Sequence, residues 1–219
     1  MLSINRNLII LFLISFASFS SFLSCKADEK IENDAKKYAN KLINSLIEDL
    51  FNEKISNKKK DKISHIIANN FDLKWNSNVV LGRNKKTFND NQLNDYYKLY
   101  EEFFINSSVL VLIETTKEQN GQVPKIDIYR VGIINDQELT VEIKLSTKIK
   151  EIELSARIIA SNNKDSSEFK IRNLVIEGID SVISRRKEFD QQINNYGVEK
   201  FLENLRSKVF EINNKLSEV

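Results

Sequence analysis

The apolar periodicity of this 219-residue chain changes twice, and those two changes restrict its fold more than any other feature. Up to Thr116 apolar residues recur every three or four positions. From Lys125 to Val175 they recur every two, and from Val182 the helical spacing returns. A helix shows one stripe with a period near 3.6 and a strand shows one face with a period of 2. The chain therefore reads as helices, then a sheet, then helices, an α+β fold.

The strands are the sharpest part of the pattern. Leu139, Val141, Ile143 and Leu145 alternate with Thr140, Glu142, Lys144 and Ser146. Ile152, Leu154, Ala156 and Ile158 alternate in the same way with Glu151, Glu153, Ser155 and Arg157. Phe169, Ile171 and Val175 stand on one side of a further strand, with Lys170 and Arg172 on the other and Asn173 as a polar interruption of the apolar side. Lys125 to Ile134 makes a less clean strand with apolar residues on both faces. The polar connections around Asn135 and Asp136, Lys148 to Lys150, and Asn162 to Ser167 suit hairpins. The expectation is a four-stranded antiparallel meander that ends at Gly178. Its single apolar face must be covered, and only helices are available to cover it.

Ile31, Ala35, Tyr38, Ala39, Leu42, Ile43, Leu46, Ile47 and Leu50 predict one amphipathic helix from Asp28 to Lys54. Shorter helices are expected from about Asp61 to Asn70 and from Asp72 to Leu81, the latter closed by Gly82 as a left-handed cap. The run Asn57 to Lys62, "NKKKDK", reads as a solvated loop between the first two helices. Asn89 and Gln92 form a capping-box pair that opens a long helix carrying an aromatic stripe, Tyr96, Tyr97, Tyr100, Phe103 and Phe104. After the sheet, Val182 to Asn194 is helical, Tyr196 and Gly197 interrupt it, and Val198 to Ile212 begins a final helix.

Residues 1–27 stand apart from this plan. Arg6 precedes an apolar run from Leu8 to Leu23, and small and polar residues follow. Such a run spans only about 24 Å as a helix, against roughly 30 Å of bilayer hydrocarbon, so it reads as an export signal ahead of one domain, 28–219. Cleavage after Ala27 would release a soluble product. Cleavage before Cys25, in "FLSC", would leave a thiol to be acylated, although Phe22 stands where a lipobox has Leu.

Removing that segment takes away Arg6 and Lys26 and no acid, so 33 basic and 31 acidic residues become 31 of each. A neutral chain lacks the cationic surplus that neutralises phosphates, which argues against nucleic acid as a partner. Cys25 is the only cysteine, so the exported domain folds without disulfides. His65 is the only histidine, which rules out a two-histidine metal site within one chain. The five glycines are too dispersed for a phosphate-cradling loop. No cofactor is expected.

Three blocks remain: "NVVLGR" at 78–83, "NQLNDYYKLYEEFF" at 91–104, and "VIEGIDSVISRRKEFDQQINNYGVEKFLENLR" at 175–206. In this order, and behind an export signal, they resemble the MlaC family of periplasmic phospholipid carriers, over roughly residues 30–210. This chain departs from the family in having Asn84 and Lys85 where an aromatic is usual, Asn173 where Asp is common, and Asp180 where Ser is common. The resemblance implies a curved sheet like that of nuclear transport factor 2, wrapped by N-terminal and C-terminal helices around an apolar lipid cavity. It also implies a monomer that exchanges phospholipid with an outer-membrane MlaA-type lipoprotein complex and an inner-membrane Mla ABC transporter. The lining expected from the alternation is Leu139, Val141, Ile143, Leu145, Leu154, Ala156 and Ile158 from the strands. Val80, Tyr97, Tyr100 and Phe104 join it from the helices. The competing readings are a filled core at the same positions, a lipid-anchored envelope interaction protein, and a small-molecule enzyme on the same fold. The last would need an inward carboxylate or histidine, which the two cleanest strands lack. The processed protein is expected to begin at Asp28, and mass spectrometry of its N-terminus distinguishes this from an acylated Cys25.

Overall fold

The computed structural model describes residues 6–51, 55–119, 122–135, 137–147, 151–160 and 168–219, with side chains from Glu29 onward. Two of the expected hairpin connections, at 148–150 and across 162–167, lie wholly or almost wholly outside the described residues, as does position 136. The side chains of the expected export signal lie outside them too.

Helix α1 runs Arg6–Phe51, α2 Asn57–Asn70, α3 Leu73–Leu81 and α4 Asp90–Glu118. A short 3-10 turn, Gly82–Thr87, joins α3 to α4. The strands follow as β1 Lys125–Ile133, β2 Glu138–Ser146, β3 Glu151–Ala160, β4 Phe169–Ile176 and β5 Ile179–Asp180, and α5 Ser181–Glu218 closes the chain.

The basic run Asn57–Lys62 is helical, not a loop. Ser56 caps α2, its Oγ accepting from the Lys59 amide at 3.4 Å, and Lys59 is buried within the first turn. A serine cap satisfies one of the amides that an uncapped helix start would leave open, so the helix extends back over four residues assigned to the linker. The α4 cap is the one expected, whereas Asp72 caps α3 rather than beginning it. Asp72 accepts from Trp75 N at 3.1 Å, and Asn89 and Gln92 form the reciprocal capping box of α4. Gly82 ends α3 with φ 55° and ψ −130°, so φ is positive but the conformation is not left-handed helical. A Cβ there would stand 2.6 Å from the Arg186 guanidinium. Gly197 interrupts α5 with φ 78° and ψ 171°.

The sheet is antiparallel in the order β1-β2-β3-β4-β5, five strands rather than four. The addition comes from the turn after Ile176. Glu177 and Gly178 both have positive φ, 50° and 76°, the pattern of a two-residue hairpin whose twist suits antiparallel strands. Instead of leaving the sheet at Gly178, the chain folds straight back, and Ile179 pairs with Ile176 before α5 begins.

Two bulges correct the reading of β1 and β4. In β1 the register slips between Ile128 and Arg130, so Ile126 and Ile128 before it and Val131 and Ile133 after it share a face. The apparent two-faced strand is a one-faced strand with an extra residue. In β4 the register slips at Arg172: Ile171 stands opposite Ile158, yet Asn173 stands opposite Arg157 and Leu174 opposite Ala156. Leu174, not Val175, therefore continues the apolar face, and Asn173 lies on the other.

Asn173 is buried there because it caps α5. Its Oδ1 accepts from Ser181 Oγ at 3.0 Å and from Val182 N at 3.3 Å, and its Nδ2 donates to Asp180 Oδ2 at 2.7 Å. Asp180 in turn accepts from Ile183 N at 2.8 Å. Asn173 and Asp180, two positions at which the chain departs from the family, touch each other. Substituting Asn173→Asp is expected to set two carboxylates against each other and lower stability by roughly 2 kcal/mol, and Asp180→Ser in the same chain to restore most of it. Urea unfolding of the two single variants and the double variant measures the coupling.

Candidate functional site

The apolar side of the sheet is built from rungs of directly paired residues, which share one face. Ile133, Leu139, Ile158 and Ile171 make one rung, and Val131, Val141, Ala156 and Leu174 the next. Ile128, Ile143, Leu154 and Ile176 follow, then Ile126, Leu145 and Ile152. Helix α1 lies along this face, with Ala35 and Ala39 buried in the same apolar cluster. Alanines one turn apart let the helix approach closely where a larger residue would hold it off. Tyr38, on the same helix, sets its ring 5.5 Å from Phe169 and donates its hydroxyl to Asn70 Oδ1 at 3.0 Å.

The expected lining residues divide between two clusters. Leu139, Val141, Ile143, Leu145, Leu154, Ala156 and Ile158 lie together on the sheet face under α1. Val80, Tyr97 and Tyr100 belong to a second apolar cluster formed by α3, α4 and α5. There the tyrosines fasten α4 to α3: Tyr96 donates to Ser77 O at 2.9 Å, Tyr97 to Asn78 Oδ1 at 2.8 Å, and Tyr100 to Asn76 Oδ1. Phe104 lies between the clusters, its ring 5.0 Å from that of Phe71, which packs on the sheet. The structure therefore brings the strand residues to one surface and leaves Val80, Tyr97 and Tyr100 off it.

Sequence reasoning missed Ala35, Ala39, Tyr38, Phe71 and Leu174 as neighbours of that surface. The two alanines carried a signal, small residues at i and i+4 in an otherwise bulky stripe. Leu174 carried none, because its direction depends on the bulge.

The rungs contain only aliphatic side chains, so the sheet offers contact to apolar matter here. Among the described residues no cluster of three or more His, Cys, Asp or Glu could hold a metal ion. A separate groove along α1 is lined by Glu29, Lys30, Asn33, Asp34 and Lys37, a polar set unsuited to hydrocarbon. Burial pushes the phenols of Tyr38, Tyr96 and Tyr100 well above their ordinary range, which keeps all three as neutral hydrogen-bond donors.

The MlaC protein family model matches residues 36–207, a span that takes in the sheet, the aromatic helix and the capped start of α5. The chain belongs to the MlaC family. Among solved structures it is similar to a phospholipid-binding protein from Ralstonia solanacearum determined in complex with a phospholipid. The TM-score is 0.63 at 14% identity, over 83% of this chain and 98% of that one. At this identity the likeness shows a shared fold. No curated protein sequence matches the chain.

The buried tyrosines of this MlaC-family fold have a measurable signature. In the unfolded chain phenols ionise near 10.0, whereas Tyr96 and Tyr100 stay protonated in the folded state. Their contribution is complete below that value and is lost as pH rises past it, at roughly 1.4 kcal/mol per pH unit for each. The variant Tyr96→Phe/Tyr100→Phe is expected to flatten the fall in urea stability above pH 10 by about 2.7 kcal/mol per pH unit.

Proposed function

We propose that the protein is a periplasmic phospholipid carrier, the soluble component of an Mla-type system that maintains outer-membrane lipid asymmetry. Residues 1–27 direct its export. Lipid is exchanged with an outer-membrane MlaA-type lipoprotein complex and with an inner-membrane Mla ABC transporter. The sheet curves in the manner of nuclear transport factor 2, and acyl chains lie against its apolar face. The observation that carries this reading is that face: rungs of aliphatic residues without an ionisable group, in a member of a family of lipid carriers. The similar Ralstonia protein, solved with phospholipid bound, supports it.

The energetics agree with carriage. Two acyl chains with about 30 methylenes gain roughly 24 kcal/mol on leaving water, at about 0.8 kcal/mol for each buried methylene. Moving between a bilayer and an apolar pocket exchanges one hydrocarbon-like surrounding for another, so the net change is small and the lipid remains releasable. No bond is made or broken, and the reading requires no catalytic group.

Ala156 stands between Val141 and Leu174 in the middle of the sheet and has the shortest side chain of its rung. Protein purified without detergent and extracted with solvent is expected to yield stoichiometric phospholipid. Ala156→Trp is expected to lower that yield severalfold while the variant still melts cooperatively, with an overpacking cost of about 1–3 kcal/mol. Tightly packed wild-type protein free of lipid would sink the carrier reading. Full lipid content in the folded variant would remove Ala156 from the lining.

From Glu29 onward no helix among the described residues is long and apolar enough to cross a membrane.

A further inference from the structure

One rung of the sheet does not end in the core. Ile128, Ile143, Leu154, Ile176 and Ile179 stand opposite one another, strand by strand, across all five strands. Exposure climbs along the row, from 5% at Ile128 and 6% at Ile143 to 42% at Ile176 and 65% at Ile179. Ile183, in the first turn of α5 four residues after Ile179, is 52% exposed, and its N–H donates to the Asp180 carboxylate that starts the helix. A lone exposed isoleucine is ordinary on a protein surface. Three at one edge, continuous with the buried apolar face, form an outlet of that face into water.

A basic cluster borders the outlet. Arg186 and Lys187 follow Ile183 at i+3 and i+4, on the same side of α5. The Arg186 guanidinium lies against Gly82, which brings Arg83, Lys85 and Lys86 of the 3-10 turn alongside. Among the described residues none of these five forms an ion pair. Of the neighbouring acids only Glu188 is ion-paired, with Arg185, while Asp180 at the start of α5, Glu177 on the Glu153 amide and Asp190 on Asn84 keep their charge, which sets five cations against three acids. With the domain neutral overall, this is a local excess of positive charge next to exposed aliphatic side chains. That pairing is complementary to an anionic bilayer, whose headgroups meet cations and whose interfacial zone accepts isoleucine.

We propose that the β4–β5 edge, Ile176, Ile179 and Ile183 with Arg83, Arg186 and Lys187, docks the protein on an anionic membrane surface. The isoleucines enter the interface, and the cations meet lipid phosphates. This docking rests on the surface alone and holds whether or not the sheet face carries lipid.

Flotation of the processed protein with vesicles tests it. Wild type is expected to bind phosphatidylcholine vesicles containing one-third phosphatidylglycerol at least tenfold more tightly than pure phosphatidylcholine, with the difference shrinking as salt is added. Ile179→Ser/Ile183→Ser and Arg83→Glu/Lys187→Glu are each expected to weaken that binding about tenfold or more. Their melting temperatures and co-purified phospholipid should match wild type, because these side chains are exposed. Wild type that ignores anionic vesicles overturns the proposal, as do folded variants that bind like wild type. Retention on an acidic protein without retention on vesicles overturns it as well.

Discussion

The sheet and the layer formed by α3, α4 and α5 meet through the Phe71–Phe104 contact and through a polar junction centred on the bulge in β4. The Arg172 guanidinium bonds Asp72 at 3.2 Å and Glu138 at 2.8 Å and stacks on the Trp75 ring at 5.1 Å. Its carbonyl accepts from Asn76 at 2.9 Å, and Asn76 in turn holds the Tyr100 hydroxyl. One residue along, Asn173 caps α5. Strand, α3, α4 and α5 are thus tied through two consecutive residues. A half-buried ion pair adds little net stability, since desolvation offsets much of the attraction. Its geometry is demanding, however, and a demanding contact fixes register between layers that apolar packing alone would leave free to slide.

The bulge also decides which side chains reach the apolar face. One extra residue reverses the alternation beyond it, so Leu174 joins Ala156 and Asn173 turns toward α5. The departures at 173 and 180 are in contact through the Asn173 to Asp180 hydrogen bond. Read position by position, the same departures look unrelated, because nothing in their spacing shows that they touch.

Much of the candidate site was legible from period alone. Leu139, Val141, Ile143 and Leu145 pair across to Ile158, Ala156, Leu154 and Ile152 on one face, as two clean alternating strands require. The helical members were not legible in the same way. Tyr97 and Tyr100 occupy an apolar stripe, and a stripe reports that a helix face is buried without saying against what. Their hydroxyls find Asn78 and Asn76 on α3, which settles their place between helices. The α2 boundary failed for a local reason: the charge of "NKKKDK" outweighed the capping serine at position 56.

By itself the sequence determined the order of the helices and of the first four strands, the capping box of α4, the break at Gly197 and the two faces of β2 and β3. These depend on contacts within a few residues, where side-chain type and backbone preference act directly. The tertiary structure alone decided the two bulges, the fifth strand, the separation of the two apolar clusters and the opening of the sheet's apolar face at Ile176 and Ile179. Each of these depends on which partner a residue meets across the fold, and pairing between distant segments is set by the sum of many weak contacts, which no single segment carries.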